Sequence, residues 1–122
     1  MDNKVKLLYV DDEDINLQLF QIHFRKKYNV FICSSAQDGL ELMNEHEDIN
    51  IIISDMKMPQ MNGIEFIKKA KERFPNKKYY ILTGFDITKE IQDALSTGLI
   101  LKYFRKPFNI EEIDGTISQV LE

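Results

Sequence analysis

The sequence predicts an α/β fold built on a parallel sheet covered by helices on both faces. Three observations carry that prediction. Five short apolar runs alternate with five stretches in which apolar residues recur at steps of three and four. The central run, Ile51-Ile52-Ile53, is β-branched and unbroken, ends on Ser54-Asp55 and is followed by Pro59, as expected of a strand buried on both faces. Polar residues then stand at the ends of four runs, at Asp11-Asp12, Asp55, Thr83 and Lys106. In a parallel sheet those ends share one edge, the edge at which open α/β sheets bind ligands.

Val5–Val10 is the first strand and stops at four consecutive carboxylates, Asp11-Asp12-Glu13-Asp14. Glu13 or Asp14 is expected to cap the helix that follows, over about 14–27. That helix carries Ile15, Leu19 and Ile22 on one stripe and Leu17, Phe20 and Phe24 on an adjoining one, a face broad enough to pack on a sheet. Its last turn holds Arg25, Lys26 and Lys27, the charge that a helix C-terminus favours. A second strand, about 29–33, leads through Ser34-Ser35 into a helix near 36–46 with Ala36, Leu40 and Met43 inward. The third strand, 49–54, delivers Asp55. Pro59 and Gly63 punctuate the loop, and a helix over about 63–73 is built on Ile64, Ile67 and Ala70 and stopped by Phe74-Pro75-Asn76. Tyr79–Leu82 is the fourth strand, ending in Thr83-Gly84. The fourth helix, about 87–97, has Ile91, Ala94 and Leu95 inward and is closed by Gly98. A fifth strand near 100–104 precedes Lys106-Pro107. The last helix spaces Ile110, Ile113, Ile117, Val120 and Leu121 at helical steps.

The composition narrows the function. At 122 residues the chain fits one domain, and 43% hydrophobic with 30% charged residues is ordinary for a soluble globular protein. The formal charge of −4 lacks the basic footprint of a nucleic-acid binder, so direct binding to nucleic acid is not expected. Cys33 is the lone cysteine, which excludes an internal disulfide, and its apolar neighbours predict a small core residue. The amino terminus has no signal-peptide pattern, and no apolar run approaches the roughly 18 residues needed to span a bilayer. A cytoplasmic protein without membrane contact is expected.

The chemistry follows from the shared edge. Asp11, Asp12 and Asp55 brought together repel one another, and a hard divalent cation relieves the repulsion. Mg²⁺ suits such a set, because it takes oxygen ligands, keeps several waters and is held by one or two carboxylates plus phosphate oxygens. Thr83 supplies a hydroxyl donor, Lys106 a compact ammonium for a phosphate oxygen, and Gly84 leaves room for close approach. A carboxylate nucleophile with a metal, an ammonium and a hydroxyl makes a phosphoryl-transfer constellation, with an aspartyl phosphate as product.

Asp11-Asp12 after the first strand, Asp55-x-x-Met58-Pro59-x-Met61-x-Gly63 after the third, Thr83 after the fourth and Lys106-Pro107-Phe108 after the fifth resemble a response-regulator receiver domain. The resemblance covers residues 1–122 in the right order. It implies a three-layer, doubly wound (βα)5 flavodoxin-like fold with strand order 2-1-3-4-5. It also implies that Asp55 accepts a phosphoryl group from a histidine kinase or histidine phosphotransfer protein. Asp12, Asp55 and the backbone carbonyl of Lys57 would ligate Mg²⁺, with Asp11 assisting through water. Lys106 would pair with a phosphoryl oxygen, and the Lys106-Pro107 bond would be cis. Thr83 would swing towards the phosphoryl group and Tyr103 would move inward with it, remodelling the face formed by the fourth helix, fifth strand and fifth helix. Such a chain is a phosphoacceptor that catalyses only its own phosphorylation and dephosphorylation. It would act as a monomer or a phosphorylation-linked dimer on a downstream output.

Some residues depart from the commonest receiver pattern. Gly98 to Lys106 is one residue longer, Gly84 stands where alanine is frequent, and Lys57 and Phe85 occupy the positions two beyond Asp55 and Thr83. A long cation and an aromatic there would obstruct water and lengthen the life of the phosphorylated state. Three rival readings share parts of this pattern. A flavodoxin-type carrier needs a hydroxyl- and glycine-rich phosphate cradle after the first strand, where this chain has four acids. A Mg²⁺-dependent aspartyl phosphatase places a second aspartate two residues after the nucleophile, where this chain has Lys57. A degenerate receiver acting as an interaction module would not need all five site positions filled. His23 and His46 are expected to be solvated, as are Lys26-Lys27 and Lys68-Lys69.

Overall fold

A computed structural model describes residues 4–84 and 87–121. The chain runs β1 (Lys6–Val10), α1 (Asp14–Phe24), β2 (Asn29–Cys33), α2 (Ala36–Glu45), β3 (Ile51–Asp55), α3 (Gly63–Arg73), β4 (Lys78–Thr83), α4 (Lys89–Ser96), β5 (Lys102–Arg105) and α5 (Ile110–Val120). All strand pairs are parallel and the order is β2-β1-β3-β4-β5, the order that the family resemblance implies. Tyr9 faces Ile32 on one side and Ile53 on the other, and Asp55 faces Leu82, so β1 and β3 are the interior strands that carry the acids.

Because side chains alternate across a strand, each strand feeds two cores. Leu8, Val10, Ile52 and Ile81 meet Met43 of α2, Ile64, Phe66 and Ile67 of α3 and Ile91 of α4. Leu7, Tyr9, Ile51, Ile53, Leu82 and Phe104 meet Leu17, Phe20 and Phe24 of α1 and Ile113 and Ile117 of α5. The four helices after α1 each start at a side-chain cap. The side chains of Ser35, Asn62, Thr88 and Asn109 accept from the amides of Asp38, Glu65, Ile91 and Glu112.

Several elements differ from the sequence reading. In α1 the apolar stripes are not adjoining: Leu17, Phe20 and Phe24 are buried, whereas Ile15, Leu19 and Ile22 are 68%, 42% and 55% exposed. At roughly 100° per residue the two sets point to nearly opposite sides of the helix, so one sheet buries one set and leaves the other to solvent. Glu13 stands at the N-cap position but makes no side-chain cap bond, and neither it nor Asp14 caps the helix as expected. The helix also ends at Phe24, before Arg25-Lys26-Lys27. Tyr28 folds back there. Its hydroxyl donates to Asp114 of α5, and Lys27 pairs with the same carboxylate at 2.8 Å, so Lys27 is engaged rather than merely solvated. His46 is half-buried with its ring 4.7 Å from that of Phe31, while His23 is exposed as expected. Cys33 is half-buried, and burial pushes its thiol up to about 12. β5 begins at Lys102 rather than near residue 100. Gly98 turns at φ +79°, Ile100 is buried ahead of the strand and Leu101 is left half-exposed.

Among the described residues, Tyr80 Oη is the buried side-chain polar atom without a hydrogen-bond partner. Its ring lies 5.6 Å from Phe104 in the core under α5. A buried hydroxyl without a partner loses its hydration and gains nothing in return. Tyr80→Phe is therefore expected to stabilise the fold by about 1 kcal/mol in urea unfolding. An unchanged or lower midpoint would show that the hydroxyl is satisfied in solution.

Candidate functional site

Four strands end at the same edge of the sheet and set the site. Asp11 and Asp12 follow the last residue of β1, Asp55 is the last residue of β3, Thr83 the last of β4, and Lys106 follows the last of β5. The ladder continues beyond the strands and fixes the backbone around them. Asp11 N donates to Cys33 O at 3.2 Å, Met56 N to Leu82 O at 3.0 Å and Lys106 N to Thr83 O at 2.8 Å. Asp11, Asp55, Thr83 and Lys106 are thus carried on or beside paired backbone of the sheet.

Asp11, Asp12 and Asp55 offer carboxylate oxygens that all lie within 4.8 Å of one another. Lys106 Nζ lies 3.1 Å from Asp55 Oδ1 and 3.5 Å from Asp11 Oδ2. Asp11 is fully buried and Asp55 4% exposed, while Asp12 is exposed at the mouth of the site. Burial raises the Asp55 carboxyl to about 6, with the Asp11 charge adding to the shift, Lys106 opposing it and Asp12 adding a smaller push. Burial depresses Lys106, but Asp55 and Asp11 outweigh it and hold the ammonium above its ordinary value. One cation is therefore shared by crowded carboxylates, an arrangement that a further positive charge stabilises. The donor set is all oxygen, which fits a hard cation. A cavity of about 440 Å³ opens over it, lined by Asp12, Glu13, Asp55, Lys57, Pro59 and Lys106.

The loop after Asp55 is pinned at both ends. Gly63 N donates to Met56 O at 2.8 Å, and Met58 is buried beneath the loop. Gln60 takes φ +70°, a left-handed conformation that costs a side-chain-bearing residue about 1 kcal/mol. Asn62 closes a reciprocal cap with Glu65, accepting from its amide at 2.8 Å and donating its own amide to Glu65 Oε1 at 2.9 Å. Its side-chain amide also reaches Glu90 in the first turn of α4 at 3.3 Å. The loop that carries Asp55 is thereby tied to the helix beyond Thr83.

Of the five residues expected at the strand ends, Asp11, Asp12, Asp55 and Lys106 meet here, and Thr83 ends the neighbouring β4 with its carbonyl accepting from Lys106 N. Lys57 is exposed at the rim, and the Lys106-Pro107 bond is cis. Tyr103 is half-buried beside the core under α4, with the guanidinium of Arg105 over its ring at 5.9 Å. Phe85, expected with Lys57 to obstruct water, lies outside the described residues.

Two groups were not anticipated. Tyr9 Oη donates to Asp11 Oδ2 at 2.5 Å, and Glu13 N donates to Asp11 Oδ1 at 2.9 Å. Burial raises the Tyr9 phenol, and its bond to Asp11 raises it further, so it stays protonated and remains a donor. The one signal that could have found Tyr9 is the alternation of a strand, which puts residues 9 and 11 on one face. Beyond Tyr9, a recess of about 410 Å³ runs between α1 and the segment after β5, lined by Leu19, His23, Lys106, Pro107, Phe108 and Ile110.

Comparison with known proteins accords with this geometry. The profile of the response regulator receiver domain matches residues 7–118. Sporulation initiation phosphotransferase F of Bacillus subtilis is 31% identical over 117 residues, which cover 95% of this chain and 93% of that protein. The hydrogenase transcriptional regulatory protein HoxA of Cupriavidus necator is 26% identical over 99% of this chain, which spans 25% of that relative's length. Among solved structures, a response regulator receiver domain protein of Clostridium thermocellum superposes with a TM-score of 0.88 at 29% identity, covering 94% of this chain and 92% of that one. The chemotaxis protein CheY4 of Vibrio cholerae gives 0.86 at 26% identity, over 96% and 98% of the two chains. With its fold, strand order and sequence all in agreement, the chain belongs to the response regulator receiver domain family of two-component signalling.

Proposed function

We propose that residues 1–122 form one receiver domain that takes a phosphoryl group onto Asp55 from a phosphohistidine of a histidine kinase or histidine phosphotransfer protein. The observation that carries the reading is the Asp55 carboxylate. It is buried at the end of β3, 3.1 Å from the Lys106 ammonium and beside Asp11 and Asp12. In the transfer, a carboxylate oxygen of Asp55 forms the new O–P bond as the N–P bond of the donor breaks, and the donor imidazole leaves with the electron pair of that bond. Lys106 already touches the nucleophile and neutralises charge on the transferred group. Mg²⁺, held by Asp12, Asp55 and the Lys57 carbonyl with Asp11 assisting through water, would supply the remaining charge neutralisation when bound.

The other parts of the site fit the same role. Thr83, buried at the end of β4, offers its hydroxyl to a phosphoryl oxygen, and Tyr103 follows it inward. Their movement remodels the α4-β5-α5 face, which Asn62 links to the Asp55 loop through Glu90. The exposed Ile15, Leu19 and Ile22 of α1 give the phosphodonor an apolar surface beside the site, since Leu19 also lines the recess that reaches Lys106. Among the described residues no helix is long and apolar enough to cross a membrane. A cytoplasmic location agrees with that.

Acetyl phosphate with Mg²⁺ tests the reading. The intact chain is expected to gain one adduct of about 80 Da that hydroxylamine removes. Asp55→Asn is expected to abolish it, and EDTA is expected to prevent it. Turnover of the donor without accumulation of an adduct would favour a phosphatase. No adduct at all, or an adduct that persists in Asp55→Asn, would overturn the proposal.

A further inference from the structure

We propose that Tyr9 is a positioning residue for the cation site, its hydroxyl holding the Asp11 carboxylate in the orientation from which Asp11 serves the metal. The inference rests on the reading of Asp11, Asp12 and Asp55 as a Mg²⁺ site. Asp11 is fully buried, yet both of its oxygens are occupied. Oδ1 accepts from Glu13 N at 2.9 Å, and Oδ2 accepts from Tyr9 Oη at 2.5 Å with Lys106 Nζ at 3.5 Å. Without such ties the repulsion among three carboxylates facing one ammonium would turn Asp11 away from the cluster.

The donor itself is held. Tyr9 has no exposed surface, and its ring stacks on Phe20 of α1 at 4.2 Å and 17°, with Phe20 in turn 4.5 Å from Phe24. A side chain with two rotatable bonds, packed in this way, keeps its hydroxyl in one place. Its chemistry also matters. A second lysine in this position would orient Asp11 equally well but would cancel the negative charge that draws the cation. A phenol orients the carboxylate and leaves that charge intact. Hydrogen-bond partners behind ligating carboxylates act in this manner, and their loss weakens metal binding by roughly 10- to 100-fold.

Calorimetric titration of the chain with MgCl₂ alone, without a phosphodonor, tests the assignment. Tyr9→Phe is expected to weaken Mg²⁺ binding about tenfold. In an Asp11→Asn background the same substitution is expected to change nothing further, because the bond it removes no longer meets a carboxylate. Binding as tight as in the unsubstituted chain overturns the proposal. So does an equal loss in both backgrounds, which would mark repacking around the ring. Phenylalanine keeps the stack on Phe20. Should the variant nevertheless fail to fold, the unsubstituted chain carries the test through the downfield NMR resonance of the Tyr9 hydroxyl proton. That resonance is expected to shift with Mg²⁺ and to collapse in Asp11→Asn, and indifference to both overturns the proposal. If the unsubstituted chain takes up no Mg²⁺, the cation reading fails and this inference with it. If that chain binds and Tyr9→Phe is no worse, the inference alone fails.

Discussion

Gly63→Ala is expected to destabilise the fold by about 3 kcal/mol and to slow phosphorylation by acetyl phosphate roughly 100-fold. The cause is close approach rather than an unusual backbone angle. A Cβ on Gly63 would stand 2.5 Å from the carbonyl oxygen of Asp55 and 2.7 Å from Ile81 Cδ1, both in the buried heart of the sheet. Neither neighbour can yield cheaply. The Asp55 carbonyl belongs to the nucleophile's own backbone and already accepts from Ser54 Oγ at 2.9 Å, and Ile81 is packed on all sides. The strain therefore falls on the first turn of α3, where Gly63 N donates to Met56 O and Asn62 closes the cap. A shift there drags the loop that presents Asp55 relative to Lys106, and misplacement of a reacting group by about 1 Å is enough to cost two orders of magnitude in rate. Urea unfolding read together with the rate of adduct formation checks both halves. A Gly63→Ala variant with parental stability would show that α3 can rise off the sheet without cost.

How far the sequence could be read depended on what each residue type discloses. Strands buried on both faces disclosed themselves as uninterrupted apolar runs, because a covered parallel sheet leaves no polar face. β5 was harder to place. It is an edge strand, Lys102-Tyr103-Phe104-Arg105, mostly exposed, and the apolar Leu99-Ile100-Leu101 before it drew the boundary two residues early. The α1 stripes misled for a different reason. Their helical spacing predicts core residues, yet Ile15, Leu19 and Ile22 project away from the sheet, and periodicity alone cannot distinguish a surface reserved for a partner from one reserved for the core. Asp11, Asp55 and Lys106 were legible because charge at the end of a buried strand has few structural uses. Tyr9 was hidden because, in an apolar run, a tyrosine reads as bulk and its hydroxyl goes unnoticed.

The same crowding that suits the site to chemistry should weaken the fold, and Asp55→Asn is expected to expose it. The Asp55 carboxyl, lifted by burial and by Asp11 to about 6 against Lys106's opposing pull, holds its proton more tightly in the folded chain than in the unfolded one, where an aspartate titrates near 4. Below about pH 4 both states are protonated and the residue costs nothing. As pH rises towards 6 the unfolded chain releases its proton first, and stability falls. Above 6 both are ionised and the full penalty, about 2 to 3 kcal/mol, is in place. Asp55→Asn removes the titrating group while keeping its shape. In EDTA at pH 7.5 it is therefore expected to unfold at a higher urea concentration than the parent, with the gap closing towards pH 4. Mg²⁺ is expected to close the gap from the other side, by stabilising the parent through binding to the folded state and leaving the variant almost unaffected. Equal midpoints at pH 7.5 in EDTA would mean that Lys106, 3.1 Å away, already balances the carboxylate, and that the acids are no burden for a cation to relieve.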